Sequence, residues 1–385
     1  MRSFTAILSL VLAVPALAAP AQLQGVQTYN GQKTGKYIVK LKAGASNQFG
    51  IQQVVESWEN FNSFAAVLSQ DELNQLRASQ DVEYIAEDGI MSITDDPSVN
   101  SQTNAPWGLQ RITQAGKLTN QNDSQLAFSY SWNDAAAGSG VDVYVVDTGI
   151  YTDHVEFGGR ARWGATFGGY ANADGHGHGT HCSGTIGSRA YGISKKVSLI
   201  AVKVLSDQGS GTVSDIVSGL NYVLTSAHAS GRPSIVSMSL GGGASQPLDD
   251  AVASLTAGGV HVVVAAGNSN DDAQYYSPAR APSAVTVGAT DITDARAYFS
   301  NYGALVDVFA PGVNVISTWI GSTTATNSIS GTSMATPHVA GSLAYRISIE
   351  GNDTPAAWST KIQTASTKAA ITAIPDGTVN DFLRI

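Results

Sequence analysis

Three histidines fall within the segment GHGHGTHC, at His176, His178 and His181, in a chain with 7 histidines in total. Two kinds of chemistry use such clusters: metal binding, and general base catalysis by one imidazole. A zinc site needs further ligands, and no cluster of Asp, Glu or Cys at zinc-like spacing surrounds these histidines beyond Cys182. The segment therefore favours a catalytic base, without indicating which histidine it is.

A candidate nucleophile lies in the segment SISGTSMATPHVAG, where Ser333 precedes an apolar stretch with helical character. Pro337 should lie near the first turn of that helix, because proline lacks the N–H that later positions need. A serine at a helix N-terminus presents its hydroxyl and keeps its own backbone N–H free to donate. Since a serine hydroxyl is a weak nucleophile, it requires an adjacent base that a third group orients.

Two polar residues that follow apolar runs could complete such a site. Asp147 follows VDVYVV and could orient an imidazole, although it could also be a turn residue after a strand. Asn268 follows VHVVVAAG and could donate a side-chain N–H to a developing oxyanion, although it could also cap a loop. Asp-Thr-Gly also opens the catalytic loop of pepsin-like proteases, but these need two such carboxylates and the chain has no second motif of that kind.

The elements that must position these residues follow a βαβ pattern from about residue 100 onward. Apolar runs without alternation are typical of parallel strands buried on both faces, and helical periodicity separates them over 213–224 and 247–259. The sequence predicts an α/β domain with an open, mostly parallel sheet and helices on both faces. Ligands bind such sheets beyond the carboxyl ends of the strands, so Asp147, Gly241–Gly243 and Asn268 should share one edge.

Residues before 100 have a different organisation. Residues 1–18 carry one positive charge, an apolar run and Ala16 and Ala18 in an A-x-A pattern, which predicts a secretory signal. Residues 19–99 combine strand-like runs with a helix after Ser69 and form a small α+β unit. The polar segment 94–104 is predicted to be an exposed linker.

Composition excludes several classes of partner. The formal net charge is −9 and no dense basic run is present, which argues against nucleic acid and anionic membranes as partners. Cys182 is the single cysteine, so no internal disulfide can form, and stability must come from the core and from any bound ions. Asn122 and Asn352 begin glycosylation sequons.

The order of five motifs resembles that of the subtilisin-like serine proteases. These motifs are VVDTGI, GHGTHCSGTIGS, SLGGG, VAAGNSN and GTSMATPHVAG, and QTNAPWGLQRI and FSNYGALVDVFAPG narrow the resemblance to the proteinase K family. The resemblance covers nearly all of residues 100–385 and implies a three-layer subtilisin-like peptidase domain. Residues 19–99 resemble the inhibitor propeptide of such enzymes, a small ferredoxin-like α+β domain.

The resemblance also implies a function and roles for individual residues. It implies a secreted, monomeric serine endopeptidase of broad specificity, made as a zymogen and processed by itself. Ser333 would be the nucleophile, His178 the base as the first histidine of HGTH, Asp147 its orienting group and Asn268 the oxyanion donor. His181 would be packed in the following helix, His176 partly exposed, and Cys182 a buried thiol rather than a reactive one.

Substrate and calcium sites follow from the same resemblance. Two segments, 205–211 and 239–242, would clamp an extended peptide, and a pocket with small lining residues would accept an apolar or aromatic side chain. The implied substrate-binding residues are Gly209, Ser210, Gly211, Ser239, Leu240, Gly241, Ala265, Ala266 and Gly267. Structural calcium would bind the Asp307 carboxylate and the carbonyls of Pro282 and Ala284.

Two rival functions would produce part of this pattern. A catalytically silent secreted homologue could bind peptides without cutting them, but all four chemical positions are filled. A secreted metal-binding protein could use the histidine cluster, and a chelator would then abolish its function at once.

Overall fold

The computed structural model describes residues 23–29, 33–46, 48–89 and 99–385, so the predicted signal segment 1–18 lies outside the described residues. The chain divides into two compact units, Met1–Asp95 and Asp96–Ile385. None of the helices in the described ranges is long and apolar enough to cross a membrane.

The N-terminal unit is a sheet with the strand order β1-β5-β2-β4-β3, in which only the β1–β5 pairing is parallel. Its elements are β1 (Val26–Gln27), β2 (Lys33–Leu41), β3 (Val54–Trp58), β4 (Ser63–Ala66), α1 (Gln70–Ala78) and β5 (Val82–Gly89). The Ser69 hydroxyl accepts from the Glu72 N–H and the Glu72 carboxylate accepts from the Ser69 N–H, which forms the capping box that the sequence predicts. Leu73 and Leu76 of α1 pack with Val39 and Ile85 of the sheet, which gives this α+β unit its own core.

The C-terminal unit begins with two paired strands, and here one prediction was wrong. Residues 99–104 are not the irregular linker that the sequence predicts, because β6 (Val99–Ala105) pairs antiparallel with β7 (Phe128–Asn133), although most of these residues are exposed as expected. Residues 94–98 of the predicted linker lie outside the described residues. The Gln102 side chain donates to the Ala190 carbonyl at 2.7 Å and accepts from Lys195 Nζ at 2.7 Å. Cross-strand backbone pairing and these polar contacts hold a segment whose lack of apolar periodicity suggested no regular structure.

A mostly parallel sheet forms the centre of this unit, with the order β19-β20-β16-β15-β13-β11-β8-β10-β9. Only the short pair β19–β20 at one edge is antiparallel. After β6, the elements in chain order are α2 (Trp107–Arg111), β7, β8 (Asp142–Asp147), β9 (Ala161–Thr166), α3 (His178–Gly187), β10 (Ser198–Lys203), α4 (Val213–Ser230), β11 (Ser234–Met238), β12 (Gly242–Gly243), α5 (Gln246–Ala257), β13 (His261–Ala265), β14 (Tyr276–Ser277), β15 (Val285–Thr290), β16 (Val308–Pro311), β17 (Val315–Thr318), β18 (Thr326–Ile329), α6 (Thr332–Glu350), α7 (Pro355–Ala365), β19 (Thr367–Lys368) and β20 (Asp381–Phe382).

Helices cover both faces of the sheet, as β8 illustrates. Val143 and Val145 join the core that includes α3, α6 and α7, whereas Tyr144 and Val146 join the core that includes α4 and α5. Because both faces of each central strand are buried, their sequences read as unbroken apolar runs. The three-layer α/β architecture predicted from the sequence is confirmed.

A buried ion pair connects α2 to the segment between β15 and β16. Arg111 of α2 donates to Asp294 through Nε at 2.7 Å and Nη2 at 3.2 Å, and its guanidinium lies 3.8 Å from the centre of the Phe382 ring in β20. Both side chains are at most 1% exposed. Through Asp294 and the Phe382 ring, Arg111 holds α2 to two segments that are distant in the sequence.

Removal of the Asp294 charge should therefore destabilise the C-terminal unit strongly. Asp294 has a φ of 61°, which asparagine tolerates well, so Asp294→Asn removes the charge without backbone strain. The variant leaves a buried guanidinium unpaired and should lose about 3–5 kcal/mol of unfolding free energy. Urea denaturation in a Ser333→Ala background, which removes the candidate nucleophile, measures the loss.

The matched control is Asp353→Asn, which breaks the exposed pair of Asp353 with Lys361. Surface pairs contribute about 0–1 kcal/mol, so this variant should stay close to the parent. Equal losses in the two variants would contradict a stabilising role for the buried pair.

Candidate active site

Asp147 is the last residue of β8, where the apolar strand reaches the carboxyl edge of the sheet, and its side chain has no solvent exposure. Its Oδ1 accepts the Thr148 N–H at 2.7 Å. His178 Nδ1 lies 2.8 Å from Oδ1 and 3.0 Å from Oδ2 of the same carboxylate. A buried carboxylate and an imidazole are thus held together at the strand end.

His178 is the first residue of α3, and the loop before it is fixed by a buried carboxylate that the sequence analysis missed. Asp174 Oδ1 accepts from Gly177 N at 2.8 Å and from Thr148 Oγ1 at 2.9 Å, while Oδ2 accepts from Thr180 N at 3.0 Å. Gly177 adopts a φ of 101°, which favours glycine. An acid just ahead of a glycine-rich helix start is typical of an anion at a helix N-terminus, and that pattern could have identified Asp174.

The protonation of His178 is governed by opposing effects. Burial alone would lower the pKa of His178, but the charge and hydrogen bond of Asp147, with the charge of Asp174, raise it above its ordinary value. In the neutral imidazole, Nδ1–H donates to Asp147, which leaves Nε2 as the proton acceptor. The geometry suits a general base whose charged form is stabilised.

The other two histidines of the cluster do not converge on a metal position. His181 Nε2 donates to the carbonyls of Val315 and Asn327, and burial lowers the pKa of His181 to about 3. His176 is half-buried and lines the cleft beside His178. In the described part of the chain, the potential ligand atoms that do lie together belong to Asp147, His178 and Cys182. Burial raises the pKa of the Cys182 thiol well above its usual range, so it is not the thiolate that a metal binds.

Ser333 lies in the first turn of α6, which begins at Thr332. It lines the same cleft as His178. Its hydroxyl donates to the Ser239 carbonyl at 3.1 Å, and within the described ranges no hydrogen bond joins it to His178. Catalytic hydrogen bonds are often long without substrate and tighten in the complex. A rotation about χ1 would redirect the hydroxyl, so the arrangement remains compatible with a nucleophile and its base.

Pro337 lies further into α6 than the sequence suggested. It is not in the first turn, because α6 starts at Thr332 and includes Pro337 in its interior. Proline has no N–H for the carbonyl four residues earlier, which belongs to Ser333. That carbonyl instead accepts the Ser239 hydroxyl at 2.8 Å and the Cys182 thiol at 3.5 Å. The missing helical bond is thus replaced by contacts that fix the backbone of Ser333.

Asn268 directs its amide nitrogen towards Ser333. Its Oδ1 accepts from the backbone N–H and the hydroxyl of Thr332, both at 2.9 Å, which leaves Nδ2 as the outward group. A Cβ placed on Gly331 would lie 3.5 Å from Ser333 N and 3.6 Å from Asn268 Nδ2. Two N–H donors therefore border one small space beside the Ser333 side chain, as an oxyanion site requires.

Two connected depressions meet at Ser333. The larger, of about 520 Å³, lies between the segments around 205–211 and 239–243 and includes Gly209, Ser210, Gly211, Ser239, Leu240 and Gly241. The smaller, of about 220 Å³, is lined by Ala265, Ala266 and Gly267 together with Asn268. The structure thus places the expected substrate-binding residues around a cleft and a side pocket.

Sequence reasoning missed several lining residues of both depressions. Tyr276, Ser277 and Ala279 complete the side pocket because β14 pairs antiparallel with β12. The far end of the cleft is apolar and is formed by Val213, Ile216 and Leu248 at the starts of α4 and α5. These α4 and α5 residues look like ordinary core positions in the sequence, and no local signal distinguishes them.

Asp307 has the properties of a cation ligand. Its carboxylate accepts from Thr286 N at 2.8 Å and Gln363 Nε2 at 2.7 Å, and no basic side chain of the described residues forms an ion pair with it. Burial raises the pKa of Asp307 to about 6, against the effect of these two hydrogen bonds. A half-buried carboxylate without a counter-charge in the described residues fits a hard cation. The Gln363 amide could contribute its oxygen after rotation about its last bond.

Comparison with known proteins supports this description. The sequence pattern of the Subtilase family matches residues 138–382, and that of Peptidase inhibitor I9 matches residues 39–94. An alkaline serine protease of Corniculantispora psalliotae, ver112, is 47% identical over 97% of this chain and 96% of its own length. A cuticle-degrading protease of Metarhizium anisopliae is 46% identical over the same shares. The crystal structure of a cold-adapted subtilisin-like serine proteinase superimposes with a TM-score of 0.66, is 42% identical, and covers 73% of this chain and 98% of its own.

The Asp147–His178 contact makes a prediction about titration. His178 should titrate with a pKa above 6.5, because Asp147 and Asp174 stabilise its charged form. Asp147→Asn should lower the pKa of His178, because it removes the main charge that opposes the effect of burial. Nuclear magnetic resonance of the histidine ring protons, in a Ser333→Ala background, measures both values. His338, whose pKa burial lowers to about 4, should stay neutral throughout and serves as the internal control. An unchanged His178 titration in Asp147→Asn would contradict this account.

Proposed function

The chain belongs to the subtilase family, and we propose that it is a secreted serine endopeptidase of the proteinase K type with Asp147, His178 and Ser333 as its catalytic residues. The observation that carries this assignment is the convergence of these side chains at the carboxyl edge of one sheet, beside a cleft that fits an extended peptide. Subtilase membership establishes the class of reaction, peptide-bond hydrolysis through a serine.

The geometry leads to a mechanism in which each group has one task. Ser333 Oγ attacks the peptide carbonyl while His178 Nε2 takes its proton, and the same imidazole later protonates the leaving amine. Asp147 holds the imidazole in the tautomer with Nδ1–H and stabilises the imidazolium. Asn268 Nδ2 and Ser333 N–H donate to the oxyanion that forms on the carbonyl oxygen.

Substrate selection would depend mainly on backbone contacts. The segments 209–211 and 239–241 offer main-chain groups between which an extended peptide can pair, and such pairing tolerates many side chains. The side pocket has an alanine and glycine lining with room for an apolar or aromatic residue before the scissile bond. This arrangement favours broad specificity with a preference at one position.

Maturation would remove the N-terminal unit. We propose that residues 19–99 act as an intramolecular inhibitor and that the mature enzyme begins near Asn100. In β6, Gln102 contacts Ala190, beyond the end of α3 opposite to His178. The 10 residues of α3 span about 15 Å, so we infer that the 99/100 bond reaches Ser333 before β6 pairs with β7.

Calcium would support the fold rather than the chemistry. We propose that Asp307 and the carbonyls of Pro282 and Ala284 bind it, since the donor set consists of oxygens and the carboxylate lacks a counter-charge. Bound calcium would supply positive charge at Asp307, where the structure has only neutral donors. Asp307 lies at the start of β16, so the ion would tie that strand to the segment before β15.

The experiment that tests the proposed function is the Ser333→Ala substitution. Loss of the nucleophile costs about 10⁶-fold in turnover in subtilisin, so processing that takes minutes would take years. The variant, made in a host without other proteases, should persist as an uncut chain of residues 19–385. N-terminal sequencing of the wild-type product should start near residue 100, and a serine-directed sulfonyl fluoride should abolish its casein hydrolysis.

A graded control is Asn268→Ala, which removes one of two oxyanion donors and should cost about 10²–10³-fold, the range measured for the equivalent loss in subtilisin. It should therefore mature slowly. If Ser333→Ala reached mature size with host proteases excluded, another residue or enzyme would be doing the cutting.

The calcium proposal predicts that Asp307→Ala differs from the wild type in its melting temperature but not in its activity. Ligand at 100 times its dissociation constant stabilises the folded state by about 2.7 kcal/mol, so calcium should raise the melting temperature of the wild type. Asp307→Ala should abolish this calcium-dependent increment while leaving initial turnover in the cold nearly unchanged. Calorimetric titration of calcium gives a second readout, and an increment that survives in Asp307→Ala would place the ion elsewhere.

A further inference from the structure

We propose that Lys203 and Asp207 form a positioning pair that holds the cleft segment 205–211 in place for extended substrates. This inference rests on the proposed function, because it concerns how the same cleft binds a peptide. It assigns a task to a buried charge that the catalytic mechanism does not use.

Lys203 ends β10, directly beside Asp147 at the end of β8. Its side chain has no solvent exposure, and its ammonium donates to the Thr148 carbonyl at 2.6 Å and to Asp207 Oδ1 at 2.9 Å. Within the described ranges, Asp207 is the carboxylate that forms an ion pair with it. One cation thus bridges the backbone after the catalytic aspartate and the cleft segment.

A buried ammonium is unfavourable unless it is paired and hydrogen-bonded. Lys203 has three N–H donors, of which two are used by Thr148 and Asp207, and the Tyr170 ring lies 5.6 Å from its nitrogen. If the cleft segment moved away, the ammonium would lose its only charged partner in the described ranges. The requirement to pair Lys203 therefore restrains the position of Asp207, whose own side chain is 53% exposed.

Asp207 also contacts the loop that carries the catalytic histidine. Its carboxylate lies against Gly175, where it occupies the space that a Cβ would need, and it accepts the Gly175 backbone N–H. Gly209 follows Asp207 by two residues in the cleft segment, and a Cβ on it would lie 3.2 Å from Nε2 of His176 in the histidine loop. The strand end at Thr148, the histidine loop and the cleft segment therefore meet around the Lys203–Asp207 pair.

This placement has a consequence that depends on substrate length. A peptide with several residues before the scissile bond pairs with the backbone of residues 209–211, so it depends on the position of that segment. A single-residue ester contacts only the side pocket and the catalytic groups, so its binding does not depend on that segment. If the pair positions the segment, its loss should impair hydrolysis of the peptide and leave hydrolysis of the ester unchanged.

The experiment compares Asp207→Ala with the wild type on a tetrapeptide anilide and on N-acetyltyrosine ethyl ester. For the tetrapeptide, kcat/KM should fall about 5- to 10-fold, mainly through KM, which is the effect of about one lost backbone hydrogen bond. For the ester, kcat/KM should change less than twofold. Active-site titration corrects both kcat/KM values for the amount of folded enzyme.

Two further variants make the result specific. Asp207→Asn keeps an oxygen that can accept from Lys203, so it should recover part of the tetrapeptide activity. Glu350→Ala breaks the other i,i+4 ion pair of this unit, Arg346 with Glu350 at the far end of α6, and should leave both substrates unaffected. Equal losses on both substrates in Asp207→Ala, or an unchanged tetrapeptide KM, would overturn the positioning role. Failure of the wild type to hydrolyse either substrate would instead overturn the proposed function.

Discussion

The buried carboxylate of Asp147 is the constraint on which the site depends. Because it has no exposure, its charge must be met by donors from the protein, and these are the Thr148 N–H and the His178 Nδ1–H. The second interaction fixes the tautomer and the orientation of His178, so the unshared Nε2 faces the cleft. Thr148 in turn binds Asp174 through its hydroxyl and Lys203 through its carbonyl, so compensation of one charge organises the histidine loop and the cleft segment together.

The two helices that deliver His178 and Ser333 begin in the same unusual way. Both α3 and α6 have glycine at the N-cap, Gly177 and Gly331, and neither has a side-chain cap. A serine or aspartate cap would occupy the first free N–H groups of the helix. In α3 the Gly179 N–H donates to Thr148 Oγ1 and the Thr180 N–H donates to Asp174, so both groups are taken from outside the helix. In α6 the Ser333 N–H remains available for an oxyanion, and the absence of an ordinary cap is what leaves this N-terminus open for chemistry.

The sequence predicted the structure correctly where it depends on neighbouring residues. The predictions were wrong or incomplete where the structure depends on contacts with distant segments. The apolar runs of the sheet and the Ser69 capping box were readable because strand burial and capping leave short-range patterns. The β6 strand was missed because its stability comes from β7 and from Gln102 contacts about 90 residues away. Pro337 was placed too early because the groups that replace its missing hydrogen bond, Ser239 and Cys182, belong to other elements. The pocket residues Tyr276 and Ser277 depend on the β12–β14 pairing, which no local pattern indicates.

Chemistry and substrate selection are supported by different parts of the fold. Asp147, His178 and Ser333 lie on a strand end and on two helix starts that pack in one core. The cleft segment 205–211 is largely exposed and is tied to this core through Lys203. Under the proposed function, changes in that segment can alter which peptides bind without moving the proposed reacting groups. The converse does not hold, because a shift at Thr148 would disturb Asp147 and the anchor of the segment at the same time.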